Sequence, residues 1–511
     1  MPSPTVAEGR PADDVDRARD DRSYRIWLGG SLLFAAIVRF RWVFQPLAPD
    51  EGGYLAIARA WADGGHLYTR FWVDRPQGMM FTYRFGDVFT ALGDGWLRVL
   101  AIVFGSASIV AVGWIGRRLS GTWQGGAAAA AFVAVLSSSP AIEGFTANGE
   151  LLSAAFVTPG VAVAAAVVTD RLDRRWLFLA GVLSGVALSY KQSGYDGMIA
   201  ICLWLGIAWL FRWRQRRDLV VMLLWLLAGL ATFLGLLFLQ GTTFGWAAYW
   251  DANVGFRLHS RSAVSSPQWG RLALTTGITA GISIGMLGLT AWRLSRGNRR
   301  PRSWFDERGA LALCWLAGAC IALLTGGNYH RHYWVTVVFP LGLVVALVLT
   351  GGAPADRTDE PEAPPGWPMP RRWLAIAVVV PVTVTAFFAA FPRLEQDARL
   401  EQDGRIASWV KENDAGTNGI LLPVCGSASY HVVAGQTPPY PYLWVDNIVA
   451  AKDSVEKMVA LLEDPDGPAF VARFQPTTDC DKTGRIEAAI EENFEPAATV
   501  DGVKVLRRRE H

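Results

Sequence analysis

Charge is what this chain has little of. Over 511 residues, Asp, Glu, Lys and Arg make up 18%, against 51% hydrophobic residues. With a mean hydropathy of +0.24, that balance excludes an ordinary soluble domain and points to a polytopic membrane protein. The net formal charge is only +3, and no basic stripe with interleaved aromatics occurs, so no nucleic-acid partner is expected. Cysteine is scarce too. The five present form no CxxC and no Cys/His cluster, which argues against a structural metal site. Cys202, Cys314 and Cys320 lie in apolar segments and read as small buried hydrophobes. Cys425 and Cys480 lie in polar sequence and are free to pair. There is no internal repeat, which weakens an inverted-repeat transporter. The apolar segments are nearly free of ionisable residues, Arg39 and Arg41 near one end being the main exceptions.

What is abundant is long apolar sequence. The first run, about 24–44, is followed by carboxylates and not by a small-residue cleavage site, so it reads as an uncleaved span. Runs near 96–118, 122–140, 151–169, 175–190, 196–211, 219–240, 272–294, 309–326, 332–350 and 373–391 follow, giving about eleven spans for a ~30 Å hydrocarbon core. Twenty-three tryptophans suit the interfaces. With the amino terminus in the cytoplasm, Arg117-Arg118, Arg171 with Arg174-Arg175, Arg212 to Arg217, Arg293 to Arg302 and Arg371-Arg372 all fall on the inner side, as the positive-inside rule asks. Residues 1–23 are polar and aperiodic and are expected to be a disordered tail. The membrane domain then covers 24–391, with 351–370 as a Pro- and acid-rich linker. Residues 392–511 are expected to form an extracytoplasmic α/β domain, with helices at 400–413, 450–463 and 484–493 and strands at 420–424, 470–474 and 503–506. An oxidising exterior would suit a Cys425–Cys480 pair.

The chemistry-bearing residues gather in the loops of the outer side. Asp50 and Glu51 directly follow the first span. An interfacial carboxylate can take the proton of an acceptor hydroxyl as that oxygen attacks; helix capping is the competing role, above all for Glu51. Tyr54, Ala58 and Trp61 have the period of a helix lying flat on the bilayer, ended by Asp63-Gly64-Gly65. Asp74-Arg75-Pro76-Gln77-Gly78 then sets a cation before a rigid bend, with Met79, Met80, Phe81 and Tyr83 returning towards lipid. Glu143 and Glu150 would share a helix face if their segment is helical, and a divalent cation such as Mg or Mn could bridge Asp50 and Glu150. Lys191 stands alone between apolar segments on the side that disfavours cations. Tyr329-His330-Arg331-His332-Tyr333 reads as an interface belt or as a phosphate clamp. The loop 241–271 adds Trp246, Tyr249, Trp250, Asp251, Arg257, His259 and Arg261. In the C-terminal part, Tyr430, His431, Tyr440, Tyr442 and Trp444 either stack on sugar rings or are packed in a small domain.

Pro49-Asp50-Glu51-Gly52-Gly53-Tyr54, followed by Arg75-Pro76-Gln77-Gly78, resembles the first outer loop of the GT-C glycosyltransferases of the protein O-mannosyltransferase and lipid A aminoarabinose transferase group. Thr146-Ala147-Asn148-Gly149-Glu150, Gly181 to Gly185 through Lys191, and Tyr329 to Pro340 resemble that group's later landmarks, over about residues 25–345. The C-terminal region is similar to outer domains of bacterial, especially actinobacterial, members. The resemblance implies a mainly α, polytopic membrane protein of the bacterial cytoplasmic membrane. It would be a transferase that moves a sugar from a polyprenyl-phosphate donor, with inversion, to a glycan, glycolipid or protein acceptor. It implies Asp50 as the general base; Glu51 and Glu150 are candidate catalytic acids from their own placement beside the spans. Arg75, where the group usually has lysine, Lys191 and Arg331 would be donor-phosphate ligands, with His330, His332 and Tyr333 beside them. The rivals are a lipid or small-anion transporter and a non-catalytic assembly protein that binds cell-wall polymer.

Overall fold

A computed structural model describes residues 11–258, 268–296, 306–350, 395–414 and 418–510. The first part is a helical bundle. Its helices are α1 (Pro11–Phe40), α2 (Pro49–Ala62), α3 (Gln77–Gly86), α4 (Trp96–Ser120), α5 (Trp123–Ser137), α6 (Gly149–Val168), α7 (Leu177–Tyr190), α8 (Asp196–Leu210), α9 (Arg216–Gly241), α10 (Trp246–Trp250), α11 (Trp269–Arg296), α12 (Glu307–Thr325) and α13 (Trp334–Thr350). Seven helices among the described residues are long and apolar enough to cross a membrane; they fall on α1, α4, α6, α9, α11, α12 and α13. The expected spans at 122–140, 175–190 and 196–211 are helices of only 15, 14 and 15 residues. At ~1.5 Å per residue they are shorter than a ~30 Å core. The expected span at 373–391 and the linker lie outside the described residues, as does the boundary at 391/392.

Helix α1 begins at Pro11, so residues 11–23 are helical and not the unstructured tail expected from their polarity. Proline suits a first helical turn, Asp21/Arg25 are spaced for attraction along one face, and Asp21 pairs with Arg117 at the end of α4. The arginine-rich ends do gather. Arg174 meets Asp218, and Arg214 meets Asp170 and Glu307. Apolar helices in such a bundle gain from close backbone approach. Gly181 and Gly229 provide it where α7 crosses α9, since a Cβ on either would run into a carbonyl oxygen of the other helix.

The opposite end carries the second unit. Its four-stranded sheet has the order β1 (Leu421–Val424), β2 (Phe470–Arg473), β4 (Val503–Arg508), β3 (Phe494–Val500), with β1 and β2 parallel and the rest antiparallel. Helices Glu395–Asn413, Ser454–Glu463 and Arg485–Asn493 surround it, as expected. Strand β3 was not legible because it is the exposed edge of the sheet, whereas the other edge, β1, is buried throughout. Only Phe494 in β3 is buried, and its register slips at Pro496, so no apolar alternation marks it. Ile406, Val410, Leu421, Phe470, Ala472 and Val505 form the core of this unit, and Cys425 is bonded to Cys480.

Candidate active site

The site is built around the start of α2. Pro49 occupies the first turn, and Glu51 accepts the amide of Ala48 at 2.9 Å, capping the helix terminus from its third position. Glu51 does more than cap. It accepts from the Ala147 amide at 2.7 Å and pairs with Arg98 at 2.8 Å, both side chains being 1% exposed. Arg98 also donates to the carbonyls of Phe145 and Pro46. Glu51 thus fastens α2, α4 and the 145–147 loop together, and its oxygens are occupied by protein donors. Capping and clamping, not a cleft position, is where the structure puts it. Nor does α2 lie flat on lipid. Residues 51–58 are buried, between the bundle and the C-terminal unit. Met79, Met80 and Tyr83 likewise pack inside, with Tyr83 donating to the carbonyl of Ala147 at 2.8 Å.

Behind α2 the two acids of the 143–150 loop are not on one helix. Glu143 has φ +56° in a turn, and α6 starts only at Gly149, capped by the Asn148 side chain. They are joined by His332 instead, whose Nδ1 lies 2.8 Å from Glu143 and whose Nε2 lies 3.9 Å from Glu150. Burial would raise the Glu143 carboxyl, but the hydrogen bond and charge of His332 outweigh it and hold it below the usual range. Glu150 also pairs with Lys191, which lies 3.9 Å over the Tyr333 ring. Burial pushes the Lys191 ammonium down to about 8, and neighbouring Arg75 adds to this against Glu150. His330 stacks parallel on His332 at 5.6 Å; its own burial, then His332 and Arg271, push it down to about 4, so it is neutral at pH 7. The Arg331 guanidinium has no hydrogen-bond or ion-pair partner among the described residues. The 329–333 cluster therefore splits into an internal network, Glu143–His332–Glu150–Lys191, and the Arg331 guanidinium outside it.

Facing them is Arg75. It pairs with Asp74 at 2.9 Å and lies 5.5 Å over the Tyr54 ring; Asp74 also binds Arg257. Burial of Asp74 is outweighed by these two guanidiniums, which keep its carboxyl below the usual range. Gln77 donates to the Leu237 carbonyl at 2.7 Å and ties this loop to α9. Of the 241–271 loop, Trp246–Trp250 is helical and Arg257 joins the site, while His259 and Arg261 lie outside the described residues.

Asp50 differs from every other acid here. It is half-buried, and its Oδ1 accepts one hydrogen bond, at 2.9 Å, from the indole of Trp444 in the C-terminal unit. Among the described residues it has no cationic contact partner, yet its charge interacts with Arg75, His330 and Tyr333. The structure thus brings together Asp50, Glu150, Arg75, Lys191, His330, His332 and Tyr333. Sequence reasoning missed Arg98, whose signal was an arginine inside the opening turn of an apolar run, and the pairing of Trp444 with Asp50, which has no sequence signal across 394 residues. Tyr430, Tyr440 and Tyr442 are buried, as packing would have them, with Tyr442 also against Trp72 of the bundle. The cation bridge between Asp50 and Glu150 does not fit, because Glu150 is held by Lys191. Among the described residues no group of three or more His, Cys, Asp and Glu is arranged for a metal ion.

No family model matches the chain, and no curated protein matches it in sequence. Solved structures do. ArnT from Cupriavidus metallidurans bound to undecaprenyl phosphate superposes with a TM-score of 0.57 at 16% identity, over 94% of this chain and 98% of that one. The apo ArnT gives 0.59 at 15%, over 94% and 97%. The chain has the GT-C fold. Archaeal oligosaccharyltransferase AglB from Archaeoglobus fulgidus, in complex with an inhibitory peptide and a dolichol-phosphate, matches at 0.57 and 12%, over 96% of this chain and 74% of that one. The GT-C fold therefore covers the helical bundle and the C-terminal unit together.

Proposed function

We propose that this protein is a membrane glycosyltransferase that moves a sugar from a polyprenyl-phosphate donor to a cell-envelope glycan, glycolipid or protein. Asp50 serves as the general base. The observation that carries this reading is the state of Asp50. Glu51, Asp74, Glu143 and Glu150 are each held by Arg98, Arg75 with Arg257, His332 or Lys191, whereas Asp50 keeps one oxygen without a protein partner among the described residues. A carboxylate with an oxygen not engaged by a protein donor is suited to accept the proton of an attacking hydroxyl. Arg75, Lys191, Arg257 and Arg331 supply the positive field that meets the charge growing on the departing lipid phosphate. Base and leaving group on opposite faces of the sugar give inversion at the anomeric carbon. The fold supports the same reading, since ArnT and AglB were solved with undecaprenyl phosphate and dolichol-phosphate. The gathering of arginines at the opposite end supports a site on the outer face of the cytoplasmic membrane, with the amino terminus inside.

The test is to incubate the detergent-purified protein with a panel of polyprenyl-phosphate sugars and envelope acceptors and to follow free polyprenyl phosphate by mass spectrometry. One donor should be consumed, and Asp50→Asn should fold normally and lose about a hundredfold or more in rate. Near-normal turnover in Asp50→Asn removes the proposed base.

A further inference from the structure

We propose that the C-terminal unit completes the active site by supplying Trp444 as a positioning residue for Asp50, so that the base takes its working orientation only when this unit is seated on α2. The inference rests on the reading of Asp50 as the base. An indole N–H is a donor only. It occupies Oδ1 of Asp50 at 2.9 Å and leaves Oδ2 for an acceptor hydroxyl. The same ring lies 5.0 Å from Tyr54, at 38°, and Tyr54 in turn carries Arg75 on its ring at 5.5 Å. A single column of Trp444, Tyr54 and Arg75 therefore links the base to a candidate phosphate ligand.

The seat for this column is written into Gly52-Gly53. A Cβ at Gly53 would stand 2.6 Å from Trp444 Cζ2 and 2.8 Å from the Ala428 Cβ, and one at Gly52 would stand 2.8 Å from the Ser429 Cβ. Only glycine lets the C-terminal unit come this close. On its own side the contact loop is held firmly. Asp403, fully buried, accepts from Ser427 at 2.5 Å and Ser429 at 2.7 Å, and Cys425 is bonded to Cys480. Two more ties surround Trp444. Asn328 donates to Asp446 at 2.9 Å, and Tyr442 meets Trp72 at 5.3 Å. Those ties reach the loops of Arg75 and of the 330–333 cluster, so seating the unit and assembling the site are one event.

The experiment compares wild type with Trp444→Phe, which keeps an aromatic ring against Tyr54 and removes the N–H. Turnover, KM for the donor, undecaprenyl phosphate binding and thermal unfolding are all measured. The expected result is a fall in kcat of about tenfold or more, with donor KM, lipid binding and melting temperature as in wild type. A wild-type kcat overturns the inference. So does a loss of kcat that runs in parallel with lost lipid binding or a lowered melting temperature, since packing alone would then account for it. If the wild-type protein consumes no donor, the glycosyltransferase reading itself fails, which is a distinct outcome from a normal Trp444→Phe enzyme.

Discussion

Removing the Glu51 carboxylate separates an architectural acid from a catalytic one. Glu51 and Arg98 are each 1% exposed and 2.8 Å apart, and Glu51 also serves the amides of Ala48 and Ala147. Glu51→Ala leaves a guanidinium buried without its counter-charge, at a cost of about 3–5 kcal/mol. It also strands two buried amides at ~1–3 kcal/mol each, overlapping with the first term. A loss of 5 kcal/mol or so is comparable with the whole stability of many domains. The apparent melting temperature, followed by size-exclusion chromatography of heated detergent samples, should fall on the order of 10 °C. Glu51→Gln should fall less, because it keeps an acceptor for Ala147. Adding Arg98→Met to it should recover a substantial part, since the uncompensated charge is then gone. A Glu51→Gln protein that melts like wild type and yet has lost turnover would refute the reasoning and return Glu51 to the catalytic cleft.

Two other outcomes follow from the same geometry. Gly53→Ala should unseat the C-terminal unit, because its Cβ would stand 2.6 Å from Trp444; limited proteolysis should then release that unit faster and transfer should drop at least tenfold. Lys191, held down to about 8, should lose its proton as pH rises through that value, and transfer should decline there, with Lys191→Arg moving the decline to higher pH. Because this pKa lies below that of the unfolded chain, the unfolded state binds more protons between about 8 and 10.5 and stability through this group rises with pH. A fall in activity over that window accompanied by a fall in melting temperature would contradict the assignment.

The membrane helices were legible because lipid imposes a composition. A backbone in hydrocarbon must satisfy itself, so long apolar runs bounded by arginines can hardly be anything else. The C-terminal helices were legible because each has one buried face and a period to match, and strands β1 and β2 because they are short runs buried almost throughout. Edge strand β3, with one buried residue, had no such period. The acids and cations of the outer loops could be collected from the sequence, because charge beside a span is rare enough to stand out. Their pairing could not. Glu51, Glu143, Glu150 and Asp50 look alike in a sequence. Tertiary contacts gave Glu51 to Arg98, Glu143 to His332, Glu150 to Lys191 and left Asp50 with Trp444. The sequence by itself determined that this is a polytopic membrane protein and which acids and cations flank its apolar segments. Which carboxylate stays without a counter-ion depends on distances of a few ångströms between residues hundreds of positions apart, and only the packed chain decides those.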